Sequence, residues 1–326
     1  MLTSKYAHYL ASKLYQYAPL PEQKQFLRKE IQQSISKLIV HQYACEVIEF
    51  IYCQADDKER QEIVIGLHGN YFLLLKDFLV QQARLKQEPT LHKFLEQKPT
   101  LREGILNKLE NTVQKLVEKG LSRHSIVQAV VYDYIQNQTD VEKLKQLADS
   151  VKEKLPALLA SRQGLASACA LFTLLDAKDR KTAIKQLPVQ EMLQNKIAHL
   201  FLVHVANTLD DTQLTKKKLL HESLKSVDDL IGDKGYQAFT VACLLPPSLK
   251  NPLLGKADVD SLNFLSEHST SKKDADIRAN ELFKIAQKPL EKFFEEKLTY
   301  YLQNIREQPI LRALCLAICH CKLTIV

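Results

Sequence analysis

Cys315, Cys319, His320 and Cys321 are the residues whose types most suggest a metal set. A tetrahedral zinc site needs four N or S ligands, commonly drawn from two clusters. Cys315 and Cys319 stand four apart in a Leu-rich stretch, but no second cluster supplies the remaining ligands, so the segment reads as a buried apolar helix. His199 and His204 are five apart and point to different faces of a helix. There is no HExxH, no phosphate-binding P-loop and no Gly-rich dinucleotide fingerprint. Gly232-Asp233-Lys234-Gly235 is too short to cradle a phosphate. No convergent acid, base and nucleophile can be assembled, so the sequence predicts no enzyme, no metal and no cofactor. What remains is cationic chemistry, most visibly at Lys216-Lys217-Lys218. Three adjacent ammonium groups pair with an anion, and phosphate suits a compact point charge.

The composition favours helices as the elements that carry these residues. Among 326 residues there are 8 Gly, 11 Pro and no Trp, with Leu, Lys, Gln and Glu abundant, which favours helix over a many-stranded sheet. Lys and Arg number 45 against 38 Asp and Glu, a net charge of +7 that suits an anionic partner. Seven Cys with no CxxC pair predict a reduced, intracellular protein. No apolar run reaches the ~18 residues of a membrane span, the stretch 310–326 being interrupted by Arg312, His320 and Lys322. No secretory signal opens the chain. Residues 1–21 are acid-free and amphipathic, as a mitochondrial presequence would be, but they also fit an internal repeat.

That repeat is visible where Ser4-Lys5-Tyr6-Ala7-His8-Tyr9-Leu10 aligns with Asn195-Lys196-Ile197-Ala198-His199-Leu200-Phe201. Weaker copies begin at His41, His124, Arg162 and Asp233, and an off-period copy at Gly69. Start-to-start steps between neighbours are 37, 38, 33 and 38 residues. Periods in the mid-thirties with two helices per unit predict an all-α fold, an armadillo-like α-solenoid with no sheet, right-handed and curved or L-shaped. Within the units, Thr139 with Glu142 and Thr100 with Glu103 have capping-box spacing. Val141, Leu144, Leu147, Val151 and Leu155 form one apolar stripe, as do Leu109, Val113, Leu116 and Val117, with Gly120 at a helix C-terminus. The period breaks at 84–100, expected as an irregular insertion, and at 245–275, expected as a surface loop.

The stretches HSIVQAVVYDYI, RQGLASACALFTLLDAKDRKTAIKQL, AHLFLVHVANTLDDTQLTKKKLL and HSTSKKDADIRANELFKI resemble the Puf-A group of divergent Pumilio-homology proteins, including its C-terminal CPL region. The resemblance runs in order over roughly residues 40–300. It implies Pumilio-like repeats over 1–156 and CPL-like repeats over 157–326, in a version truncated at both ends. It also implies a nuclear, nucleolar RNA-binding protein that acts in ribosome assembly and translational regulation. Its expected partners are RNA, DNA through the same phosphates, and pre-ribosomal proteins; no membrane is expected, and the chain is expected to be a monomer. A protein-binding scaffold is the competing expectation, since other α-solenoids use the same surface for peptides.

In Pumilio-type repeats, positions one and five of the motif face a base edge and position two stacks between bases. Carried over, the resemblance assigns Ser4, Lys5 and His8; His41, Gln42 and Cys45; and His124, Ser125 and Gln128. The later sets are Arg162, Gln163 and Ala166; Asn195, Lys196 and His199; and Asp233, Lys234 and Gln237. Base stacking calls for aromatic or Arg side chains, whereas position two here is Lys, Gln or Ser. The sequence therefore predicts contact with the phosphate backbone, aided by Lys216, Lys217 and Lys218, and little reading of base identity.

Overall fold

Helices begin where the motif copies begin. His41 and His124 are the N-cap residues of α4 (Gln42–Gln54) and α8 (Ser125–Asn137), and Arg162 opens α10 (Arg162–Leu174). The copies at Ser4 and Asn195 start three residues ahead of α1 (Ala7–Tyr17) and α13 (Ala198–Thr208). The computed structural model describes residues 2–68, 71, 75–78, 82, 90–185, 187–221, 238–240, 243 and 254–285. It divides into two compact units, Met1–Leu147 and Ala148–Val326. No strand occurs among the described residues, and the all-α, stacked-helix expectation holds.

In the first unit, α1 packs on α4 and α4 on α8, so the motif helices lie side by side in chain order. Around them stand α2 (Pro21–Gln32), the short α3 (Ile35–Leu38), α5 (Asp57–Gly66), α6 (Leu91–Gln97) and α7 (Arg102–Glu118). Next comes α9 (Val141–Val151). In the second unit α10 packs on α13, and both meet α15 (Lys256–Leu262). There α11 (Ala177–Lys185), α12 (Val189–Gln194) and the short α14 (Thr212–Thr215) complete the repeats. One amphipathic helix pair cannot bury its own stripe, so neighbours supply the core. The helices α10 and α13 go further: from Gly164 to Leu174 and from Ala198 to Ala206 every residue is buried, so these two are enclosed on all sides.

The expected stripes are largely buried as read, with Leu109, Val113, Leu116 and Val117 inward on α7 and Leu144, Leu147, Val151 and Leu155 inward near α9, while Val141 at the start of α9 is only half-buried. Gly120 adopts φ +70° and closes α7 in a Schellman motif: its N–H reaches Val117 O at 3.0 Å and the Leu121 N–H reaches Leu116 O at 3.0 Å. A side chain there would strain the left-handed backbone.

The capping assignments need correction. At α9 the cap is Asp140, whose Oδ1 accepts from Glu142 N at 3.0 Å, not Thr139. Thr100 lies inside a 3-10 turn, Pro99–Leu101, that precedes α7, and so cannot cap it. A full capping box does occur, at Asp56 with Glu59. The stretch 84–100 is not wholly irregular, because Thr90 Oγ1 accepts from Lys93 N at 3.3 Å and starts α6, which Pro99 then stops. The expected loop 245–275 likewise contains α15 and a single turn, Ser266–His268.

Candidate nucleic-acid interface

Along each motif helix the first turn decides which residues can meet a ligand. Positions one and two sit at the helix mouth and face solvent at Ser4, Lys5, His41, Gln42, Arg162, Gln163, Asn195 and Lys196. Position five lies one turn inward, on the face that packs against the neighbouring helix. His8, Cys45, Gln128, Ala166 and His199 are accordingly all buried. His8, Gln128 and His199 are expected to offer an edge to a base; in this structure that face packs against the neighbouring helix. Gln128 is fully enclosed and donates from Nε2 to Ser122 O at 2.9 Å. His8 Nδ1 lies 3.1 Å from Ser4 O and His199 Nδ1 lies 2.8 Å from Asn195 O, each ring tying back to the carbonyl four residues before it. Asn195 spends its side-chain oxygen on the N–H groups of Ile197 and Ala198, at 2.9 and 3.0 Å, so its role is local.

The third set is closed by acids that sequence reading missed. Glu49 of α4 reaches the mouth of α8. Its Oε1 accepts the Ser125 N–H at 2.8 Å and also the Ser125 hydroxyl, and its Oε2 accepts the Ile126 N–H at 3.0 Å. A carboxylate at a helix N-terminus satisfies orphan donors and the positive end of the dipole together. Glu46, three residues earlier on the same face, pairs with Arg123 at 3.3 Å and lies 3.5 Å from His8 Nε2. His124 is buried beside them, and burial lowers its pKa more than Glu49 and Glu46 raise it. Ser125 is thus bonded to Glu49 at this junction, and His124 is buried next to it. The signal was the i,i+3 spacing of Glu46 and Glu49 on a motif helix. Replacing Glu49 with Ala is expected to cost about 1–2 kcal/mol, the worth of a lost cap. Chemical denaturation will show it; no change would mean the N–H groups find water at no cost.

In the second unit Arg162 Nη1 meets Asp258 Oδ1 at 2.6 Å, so this cation is already paired although more than half exposed. Lys196 is exposed at the mouth of α13, and Lys5 is exposed with its ammonium 5.7 Å from the Tyr6 ring centre. Lys216, Lys217 and Lys218 stand on a different element, a π-helical turn, Lys216–Leu220, that follows α14. There the wider backbone turns Leu219 and Leu220 inward and leaves all three lysines in solvent. Asp233, Lys234 and Gln237, and the Cys315, Cys319, His320 and Cys321 cluster, lie outside the described residues. Among the described residues no group of three or more His, Cys, Asp and Glu could hold a metal ion, and no helix is long and apolar enough to cross a membrane.

No family model matches the chain. Among curated proteins it is similar to Pumilio homolog 3 of Rattus norvegicus, 25% identical over 319 residues that cover 97% of this chain and 46% of that protein. It is also similar to Pumilio homology domain family member 6 of Schizosaccharomyces pombe, 29% identical over 288 residues, 86% of this chain and 43% of that one. The chain thus spans somewhat under half the length of these relatives. Its fold matches the crystal structure of human Puf-A in complex with DNA at a TM-score of 0.79 and 22% identity, over 91% of this chain and 57% of that one. Stacked motif helices, a period in the mid-thirties and relatives that align along most of the chain agree: the chain has a Pumilio-like helical-repeat fold and is similar to divergent Pumilio-homology proteins.

Proposed function

We propose that the chain binds RNA through its phosphate backbone with little discrimination between bases, as part of ribosome assembly in the nucleolus. The observation that carries this reading is the split within the motif. Solvent-facing cations stand at or near the helix mouths at Lys5 and Lys196, and on the turn at Lys216–Lys218, whereas the fifth positions that would read base edges are buried. Point charges without base-edge partners attract any phosphate chain alike. The crystallised relative with DNA, and the names of the curated relatives, are consistent with a nucleic-acid ligand. Nucleolar placement and ribosome assembly rest on the family resemblance.

The test is binding of unrelated RNA and DNA single strands across a salt series. The logarithm of affinity should fall with the logarithm of salt by about 0.7 per phosphate contact. Replacing Lys196, Lys216, Lys217 and Lys218 with Ala together should weaken every oligonucleotide alike and flatten that slope by at least about one unit. Replacing His41 and Gln42 with Ala should change little. If one RNA sequence depended on His41 and Gln42 while the lysines were dispensable, the backbone-binding reading would be wrong.

A further inference from the structure

The outer face of α1 and α2 does not resemble a solvated helix pair. Tyr6, Tyr9, Leu10, Leu14, Tyr17 and Phe26 are each between 50% and 77% exposed, and Leu20 joins them at the turn between the helices. Among the described residues, large exposed apolar side chains elsewhere are Val259 and Ile277. Along α1 the positions 6, 10, 13 and 17 recur at helical spacing, so one stripe carries Tyr6, Leu10, Lys13 and Tyr17. Beside that stripe runs a groove of about 680 Å³ between α1 and α2, floored by Leu10, Leu14, Tyr17, Pro19, Phe26 and Leu27. A contiguous apolar patch in water marks a surface that meets another molecule.

Charge indicates what that molecule carries. Residues 1–21 hold no Asp or Glu. Lys5 and Lys13 rise from the stripe with their ammonium groups 5.7 and 5.5 Å from the Tyr6 and Tyr17 ring centres. Glu22 stands at the groove's edge on α2, and farther along α2 Glu30 is offset by the neighbouring Lys29. The face is therefore apolar in its floor, with aliphatic and aromatic side chains, and cationic on the α1 side. A nucleic acid would use the aromatic rings and lysines but gain little from the aliphatic Leu10, Leu14 and Leu27. A helix with an apolar stripe uses all of them, because two adjacent helices present the ridges and groove into which a third one seats.

We propose that the α1–α2 face docks an amphipathic helix of a partner protein. The eleven residues of α1 span about 16 Å at 1.5 Å per residue, room for three turns of the partner. The partner's aliphatic stripe fills the groove, and carboxylates along its flank meet Lys5 and Lys13. Only Lys5 is shared with the nucleic-acid reading above, and the apolar groove and Lys13 stand apart from it.

The probes are two fluorescein-labelled 18-residue designed helices with the same Leu stripe, one with a Glu face and one with a Lys face, titrated with the full chain by fluorescence anisotropy. The Leu/Glu helix should bind saturably and at least tenfold more tightly than the Leu/Lys helix. Leu14→Asp with Phe26→Asp should abolish that binding while circular dichroism stays unchanged, since both side chains are half exposed or more. Lys13→Ala should weaken the Leu/Glu helix several-fold and leave the Leu/Lys helix unaffected. Equal binding of both helices, or binding of neither, overturns the proposal. Light scattering that shows a dimer returned to monomer by Phe26→Asp overturns it in favour of a second copy of this chain. A uridine 20-mer whose binding is lost in Tyr6→Ala with Tyr17→Ala overturns it in favour of a nucleic-acid platform.

Discussion

Replacing Arg278 with Ala is expected to lower the thermal midpoint of the chain by roughly 5–12 °C, from a loss of about 2–4 kcal/mol at a buried guanidinium paired with the half-buried Asp210 and the few degrees each kcal/mol is worth at this size. Arg278 is 4% exposed and lies in a helical stretch, 275–285. Its guanidinium closes the C-terminal end of α13. Nε donates to Leu209 O at 3.1 Å and Nη1 to Asn207 O at 2.6 Å, while Nη2 reaches Asp210 Oδ1, Ser271 Oγ and Lys273 O. Truncation leaves two carbonyls at a helix end without donors and a carboxylate without its cation. Burial works against the ionised form of Asp210, but hydrogen bonds from Ser271, the Lys272 and Lys273 N–H groups and Arg278 outweigh it and hold the pKa at about 2. A carboxylate pKa held below its unfolded value adds stability above pH ~4 that disappears as pH falls towards 2. Arg278→Lys should rescue little, since one ammonium cannot replace a planar fork that serves three directions. Differential scanning fluorimetry decides the matter. A shift under 2 °C for Arg278→Ala would show that the loop 269–274 does not depend on it.

Between pH 6.5 and 4 the second unit is expected to lose on the order of 3 kcal/mol of stability through His204 alone. His204 is buried on α13, with Nε2 2.9 Å from Thr173 Oγ1. Burial, aided by the Arg180 charge, pushes its pKa down to about 4 against the hydrogen bonds that raise it. The unfolded imidazole protonates near 6.5, so within this window the unfolded chain holds a proton that the folded chain refuses. Stability is then complete above pH 6.5 and declines as pH falls. His68 in the first unit is likewise held near 4 by burial. There, however, burial raises the Asp133 carboxyl to about 7, an effect of opposite sign over the same range. The cleaner readout is therefore His204→Gln. Urea midpoints measured from pH 7 to 4.5 should fall steeply in the parent chain and less steeply in the variant. Parallel curves would show that His204 accepts a proton without disturbing its site.

The repeat was legible because its period is a property of chain spacing. Each copy must restart a helix at the same distance, and each stripe must recur at three and four residues, so Leu109, Val113, Leu116 and Val117 declare their burial in one dimension. Gly120 was legible for a similar reason, as a single residue whose backbone freedom matches a single need. Caps were less so. Thr139 and Thr100 have capping spacing, but Asp140 stands one residue closer to its helix and a 3-10 turn displaces the other start, and a shift of one residue is decisive for a hydrogen bond.

The candidate site divides in the same way. Sequence alone determined the all-helical repeat, the cationic surplus and the alignment of the motif copies. It could not say which of a motif's five positions remains free, because that depends on the helix packed alongside. Contact between α1, α4 and α8 buries His8, Cys45 and Gln128 and brings Glu46 and Glu49 onto Arg123 and Ser125, partners more than seventy residues away. The same holds for Asp258, ninety-six residues from Arg162, and for Arg278, whose acceptors lie up to seventy-one residues back. A local pattern states what a side chain can do; only the neighbours that folding brings against it decide whether water, a phosphate or another side chain takes the place.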